Sequence, residues 1–239
     1  TVLLCLILPF GKATSLFRNR WAWGGSVAVA GIGILLTLNR IHWGIAGAMI
    51  VVIGLWKERR LLALAAAASV VVLLTVPGVR ERFSELLAFT SQTTGRDVLW
   101  KGGMELATER PLAGFGPRSF PVIFPYFDLI PDKGVGTWHN DFLQVYLESG
   151  AVGLVTYVWL LVTALVVAIR NVRFFSGDEL LGSLSIGLLM AVIAVVLGGI
   201  VGGFVTDPLI TLLFRQVLAL IAVLGLNSPS LTRSAQSPR

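Results

Sequence analysis

Charge is scarce in this 239-residue chain: 13% of its residues are Asp, Glu, Lys or Arg, against roughly 25% in soluble globular domains. With 55% hydrophobic residues and a mean hydropathy of +0.83, the shortage excludes a soluble domain and a disordered chain alike. Cysteine is nearly absent. Cys5 stands alone, so neither an intramolecular disulfide nor a thiolate metal cluster can form, and a disulfide scaffold is excluded. Within its apolar run Cys5 reads as a small hydrophobe. The first residue, Thr1, already lies in that run, with no methionine and no basic n-region before it. That argues against a signal peptide and for a chain cut inside a helix. No repeat, heptad or collagen-like period is evident.

What is abundant fits a bilayer. Twenty-six glycines and seven tryptophans suit helices that pack closely and are anchored at the water interface. Apolar runs bounded by charge predict seven spans: 1–10 (truncated), 21–38, 41–56, 61–76, 151–169, 180–205 and 209–226. A hydrocarbon core of about 30 Å needs about 20 helical residues. The shorter spans therefore lean on Trp21, Trp23, Trp43 and Trp56 as interfacial anchors. One set of connections carries ten basic and three acidic residues, net +7, whereas the 77–150 stretch carries seven basic and nine acidic, net −2. Short basic loops stay in the cytoplasm and long ones cross largely regardless of charge. The 77–150 loop is thus expected outside, in the periplasm of a two-membrane bacterium. The pI near 10.1 becomes an orientation signal rather than a sign of nucleic-acid binding. The expected organisation is 1–76 N-terminal spans, 77–150 outward loop, 151–226 C-terminal spans and 227–239 a disordered cytoplasmic tail.

A loop of that length should carry structure of its own. Residues 95–109 read as an amphipathic helix with Val98, Leu99, Met104 and Leu106 on one broad side and Trp100 at its edge, ended by Pro111. Gly114, Gly116 and Pro117 then demand tight turns. Phe124, Tyr126 and Phe127 are expected on the membrane surface or as a wall over a cavity. Asn140 or Asp141 can cap a helix starting just after His139. If unbroken to Ile169, that helix is about 42 Å long and projects beyond the bilayer, unless Gly150 and Gly153 mark a bend. His139 then sits on a rigid pedestal at the outer boundary, which suits a reacting group.

Three arginines lie toward the same side. Arg40 follows Leu36-Thr-Leu-Asn39, Arg96 follows Gly95, and Arg215 lies six residues into the last span. Arginine inside a span costs roughly 2.5–3.5 kcal/mol on insertion scales and points to a functional site or a buried partner. The plainer alternatives are snorkelling for Arg40, snorkelling or an ion pair with Asp207 for Arg215, and an exposed loop charge for Arg96. His139 can equally be a structural hydrogen-bonding residue, and Glu148 a solvated or arginine-paired carboxylate. His42, beside Trp43 without a supporting cluster, is read as structural.

The segment His139-Asn-Asp-Phe-Leu-Gln-Val-Tyr-Leu-Glu-Ser-Gly-Ala-Val-Gly-Leu154 resembles the signature of the O-antigen ligase and polymerase superfamily: His-Asn, an apolar pair, then Glu-x-Gly-x-x-Gly-Leu. Gly95-Arg96 with Trp100, followed by Arg110-Pro-Leu-Ala-Gly-Phe-Gly-Pro-Arg-Ser-Phe120, is similar to its Gly-Arg…Trp…Pro-Leu-x-Gly-x-Gly-x-x-x-Phe segment. Leu36-Thr-Leu-Asn-Arg40 resembles its Leu-Thr-x-Ser-Arg helix end, with Asn39 in place of serine and Arg40 in register. Members usually have ten or more spans, so the resemblance implies that an N-terminal part is missing.

The resemblance implies an all-α, polytopic, GT-C-like helical bundle in the bacterial inner membrane, with its active face periplasmic. It implies transfer of a glycan from undecaprenyl pyrophosphate to a hydroxyl of a glycan, lipid A core or protein acceptor. Guanidiniums bind phosphate oxygens bidentately and stay charged. Arg40 and Arg96 are therefore expected to hold the pyrophosphate, with Arg215, Arg118, Asn140 and Glu148 as further substrate-binding candidates. An imidazole, with an ordinary pKa near 6.5, can accept the acceptor's proton at neutral pH, which is the role expected of His139. No Asp-x-Asp pair is present, and arginines can do a divalent ion's electrostatic work. Metal independence and no cofactor are expected. The competing class is a transporter or flippase for an anionic lipid-linked glycan; a non-catalytic glycan-binding subunit is a third.

Overall fold

The computed structural model describes residues 1–10, 20–37, 40–56, 69–72, 74–87, 95–130 and 134–227, with the isolated residues 63 and 67. Among them the regular structure is entirely helical: α1 Val2–Ile7, α2 Arg20–Leu36, α3 Arg40–Trp56, α4 Pro77–Leu87, α5 Arg96–Leu106, α6 Phe120–Ile123, α7 Asp141–Phe174, α8 Glu179–Val201 and α9 Pro208–Leu226. Short 3-10 turns follow at Leu8–Phe10 and Phe127–Leu129. Seven of the sixteen residues of the expected span at 61–76, and the tail from 228 onward, lie outside the described residues.

Among the described residues three helices, α7, α8 and α9, are long and apolar enough to cross a membrane, and Ala22–Leu36 and His42–Leu55 are shorter apolar helices. At 1.5 Å per residue α8 reaches about 34 Å and α9 about 28 Å, close to a hydrocarbon thickness. Outward side chains on α2, α7 and α9 are large and apolar: Val29 is 73% exposed, Val152 64%, Trp159 71% and Leu209 67%. Such surfaces suit lipid as solvent, and this is a membrane protein. The span expected at 180–205 ends at Val201, and Gly202 to Asp207 form a connection into α9.

The chain forms two compact units. One comprises Thr1–Thr90, Ala164–Ala194 and Gln216–Arg239. Within it, the Trp23 indole N–H donates to Ile7 C=O at 3.1 Å, the Trp43 indole to Ile34 C=O at 3.0 Å and the Asn171 amide to Ile221 C=O at 2.9 Å. Cys5 is fully buried there, as its apolar surroundings imply. The other unit comprises Ser91–Thr163 and Val195–Arg215. Its core is Leu99, Phe120, Phe124, Ile130, Trp138 and Leu147. Phe120 and Phe124 stack at 5.0 Å, and Trp138 meets them edge-on at 4.8 and 5.5 Å. Pairs of this kind add about 0.5–1.5 kcal/mol each beyond area burial. Phe124 is therefore core rather than surface or cavity wall. Met104, expected inward, is 66% exposed, and Gly102 and Gly103 are the buried residues on that stretch of α5.

α7 is 34 residues long but not continuous. Gly150 within it has φ 66° and ψ −167°, a conformation open essentially only to glycine. The bend foreseen at Gly150 or Gly153 is thus a break at Gly150. It frees backbone groups that the 111–116 turn takes up: Phe115 N–H donates to Leu147 C=O at 2.8 Å, Gly116 N–H to Glu148 C=O at 3.0 Å, and Ala151 N–H to Pro111 C=O at 2.7 Å. Buried backbone groups need such partners. Approach is so close that a Cβ on Gly150 would lie 2.1 Å from Leu112 O, and one on Gly114, at φ +68°, 2.5 Å from the Glu148 carbonyl carbon. Gly150→Ala is therefore expected to lose at least about 2 kcal/mol from backbone strain and displaced turn, read as a lowered melting temperature in detergent. Gly136→Ala, where a Cβ meets nothing within 4 Å, should melt like the wild type.

Candidate active site

His139 occupies a backbone position that few non-glycine residues take, with φ 50°. Positive φ at a non-glycine residue costs about 1–3 kcal/mol and persists only where its surroundings over-determine it. The surroundings do so here. Trp138 is fully buried; its N–H donates to Gln144 Oε1 at 3.1 Å, and its C=O accepts the Trp100 indole N–H at 3.1 Å. On the other flank, Asn140 Oδ1 accepts the N–H groups of Phe142 and Leu143, both at 3.0 Å, capping α7. The sequence left Asn140 and Asp141 open as caps; Asn140 fills the role. Asp141 is wholly buried instead, its Oδ1 accepting the Val205 N–H at 3.0 Å. His139 itself is half-buried.

One helical turn C-terminal to Arg96 stands Trp100, so the two share a face of α5. The bond from Trp100 to Trp138 C=O ties that face to the peptide immediately before His139. Arg96 opens α5 directly after Gly95, which is left-handed at φ 68°. It is half-buried, and desolvation lowers its pKa from the ordinary arginine value. Arg215 is exposed on α9, and Arg118 is exposed with φ 56°. Arg40 begins α3, and its side chain lies outside the described residues.

Glu148 has two neighbours drawn from both motif segments. Its Oε1 accepts the Arg118 N–H at 2.8 Å and the Gln144 side-chain amide. Through Gln144 the chain of bonds continues to the Trp138 N–H. The turn carrying Arg118 and the turn carrying His139 are thus joined across one carboxylate. Gln144, 1% exposed, was not foreseen as part of the site; a lone buried amide on an apolar helix face is the signal that points to it. Between α5 and the start of α7 opens an apolar groove of about 460 Å³, bordered by Trp100, Met104, Asn140, Phe142, Tyr146 and Leu154. Among the described residues no three His, Cys, Asp or Glu side chains gather as a metal set.

The order of these segments along the chain matches a known family. The family model described as O-antigen ligase matches residues 25–158, more than half the chain, and the chain belongs to that family. A stretch of 82 residues is 33% identical to the exopolysaccharide production protein ExoQ of Rhizobium meliloti (strain 1021), covering 31% of this chain and 19% of that relative. The chain thus spans about a fifth of the curated relative it matches.

The carboxylate joint has a measurable consequence. Glu148→Ala leaves the exposed Arg118 N–H to water and the part-buried Gln144 amide without its acceptor, at a cost of about 1 kcal/mol. Glu148→Gln keeps an acceptor oxygen and is expected to melt close to wild type. Equal melting of Glu148→Ala and wild type would contradict the joint.

Proposed function

We propose that the protein is a metal-independent, inverting glycosyltransferase of the O-antigen ligase or polymerase type. It takes a glycan from undecaprenyl pyrophosphate and passes it to an acceptor hydroxyl on the periplasmic face of the bacterial inner membrane. The observation that carries the reading is the over-determined His139 turn, locked by Trp138 and Asn140 and tied through Trp100 to the helix that opens with Arg96. Strain held in place beside titratable and cationic groups is a mark of reacting sites.

In this mechanism His139 accepts the proton of the acceptor hydroxyl as its oxygen bonds the anomeric carbon. The bond from that carbon to the pyrophosphate oxygen breaks with its electron pair, and attack from the opposite face inverts the configuration. Arg96 and Arg40 meet the charge that grows on the leaving pyrophosphate. A pre-aimed donor of this kind supplies roughly 3–4 kcal/mol of transition-state stabilisation. Desolvation of Arg96 strengthens its attraction for phosphate by lowering the local dielectric. Arg118 and Arg215 assist at the substrate's edge. Asn140 shapes the turn and borders the groove, whose apolar lining suits the first isoprene units of the donor. Glu148 acts through the Arg118 turn. The acceptor is a glycan, lipid A core or protein, and membrane lipids surround about seven spans in a GT-C-like arrangement.

Full-length protein in liposomes with labelled lipid-linked glycan tests the reading. The expected result is glycan moved to an acceptor, with His139→Ala slower by about 10²–10⁴-fold, the usual worth of a general base. Lipid carried across the bilayer without transfer would make it a flippase, and binding alone a non-catalytic subunit. Transfer is expected to persist in EDTA; complete loss restored by magnesium would overturn the arginine clamp as sole electrostatic partner.

A further inference from the structure

Asp141 is the one carboxylate of the His139 turn that the mechanism leaves without a task, and its placement is costly. Its side chain is fully buried, and the backbone N–H groups of both Val205 and Phe204 bond the carboxyl. Burying a carboxyl is expensive even when it is hydrogen-bonded, so its presence calls for an explanation. Helix capping is not the explanation, because Asn140 already provides it. What Asp141 does hold is the connection between α8 and α9. Its Oδ1 accepts the Val205 N–H across 64 residues of chain at 3.0 Å. The carboxyl also fills the space over Gly199, where a Cβ would lie 2.7 Å from Oδ2 and 3.3 Å from Cγ. A second contact sits beside it: a Cβ on Gly203 would lie 2.8 Å from Thr137 Oγ1. Thr137 and Asp141, on either side of Trp138, His139 and Asn140, both pack into glycine gaps in one segment. That segment runs on to Asp207, whose Oδ1 caps α9 by accepting the N–H groups of Leu209 and Ile210 at 2.9 and 3.0 Å. α9 carries Arg215.

We propose that Asp141 is a positioning residue, holding the last turn of α8 and the 202–207 connection against the His139 turn through its bond to the Val205 N–H and its seat over Gly199. It sets the orientation of the imidazole relative to the start of α9 and touches no substrate itself. The proposal rests on His139 as the base and adds to that reading the part of the fold that aims it. Small misplacements of a reacting group are expensive, up to about 10²-fold for 1 Å.

The test is a double-mutant cycle in the full-length protein, with kcat, KM and melting temperature measured for each variant. Asp141→Ala is expected to lower kcat on the order of tenfold with KM for the donor nearly unchanged. Asp141→Asn keeps an oxygen acceptor for Val205 N–H and is expected to retain most of kcat. Gly199→Ala places a methyl where the carboxyl sits and should reproduce the Asp141→Ala loss. In Asp141→Ala/Gly199→Ala the methyl has room, so the double variant should be no slower than Asp141→Ala alone, the coupling expected of contacting residues. Losses that multiply, an Asp141→Asn as slow as Asp141→Ala, or slowing explained wholly by lowered melting would overturn the proposal. His139→Ala runs alongside. If it turns over like wild type, the proposal falls with the reading of the site; if it does not and the cycle is additive, the proposal alone falls.

Discussion

Everything distinctive in the loop unit depends on the interruption of α7 at Gly150. An α-helix satisfies its own backbone, so a second chain segment has no reason to approach it closely. By breaking there, α7 releases the Leu147 and Glu148 carbonyls and the Ala151 N–H to the 111–116 turn. The turn can come close enough only because Gly150 and Gly114 offer no Cβ at the contact. Two sequence segments about 30 residues apart are thereby joined as firmly as neighbouring strands. The side-chain bond from Glu148 to the Arg118 N–H then extends that joint toward the His139 turn.

From this joint the site inherits its stiffness. The first part of α7, between His139 and the break, is held at one end by the turn and at the other by the Trp138 bonds and the Asn140 cap. Beneath it lie the stacked rings of Phe120 and Phe124, with Trp138 edge-on to both. His139 is thus kept at a positive φ by contacts on both sides, and strain at that point is balanced by the surrounding core. If His139 is the base, as proposed, such fixing sets its orientation before the substrate arrives. The apolar groove beside Asn140 opens from the same pair of helices.

Local chemistry in the sequence was a good guide wherever the relevant partners are near in the chain. A helix near 95–109, a cap at Asn140 or Asp141 and the alternative of a bend at Gly150 and Gly153 all follow from residues within a few positions of one another, although which cap and whether the helix bends were left open. The order Gly-Arg, Pro-Leu-x-Gly, His-Asn and Glu-x-Gly was enough to point to the family. What could not be read were bonds between distant residues: Asp141 with Val205, Glu148 with Arg118, Gln144 with Trp138. Periodicity says which face of a helix is apolar, yet it misjudged Met104, because on α5 close packing is achieved by Gly102 and Gly103. The aromatic residues around Phe124 have no helical or strand period, so nothing in the pattern marked them as a core. The Arg40 side chain lies outside the described residues, and its proposed part in the clamp rests on its place in the motif.

The central claim is that His139 and the guanidiniums of Arg96 and Arg40 serve one pyrophosphate-linked donor. The most direct measurement is an electron cryo-microscopy structure of the full-length protein with undecaprenyl pyrophosphate bound. The account predicts pyrophosphate oxygens in ion-pair contact with Arg96 and Arg40, and the His139 imidazole on the far side of the position the anomeric carbon would occupy. Pyrophosphate seated away from both arginines, or an imidazole turned from that position, would contradict it.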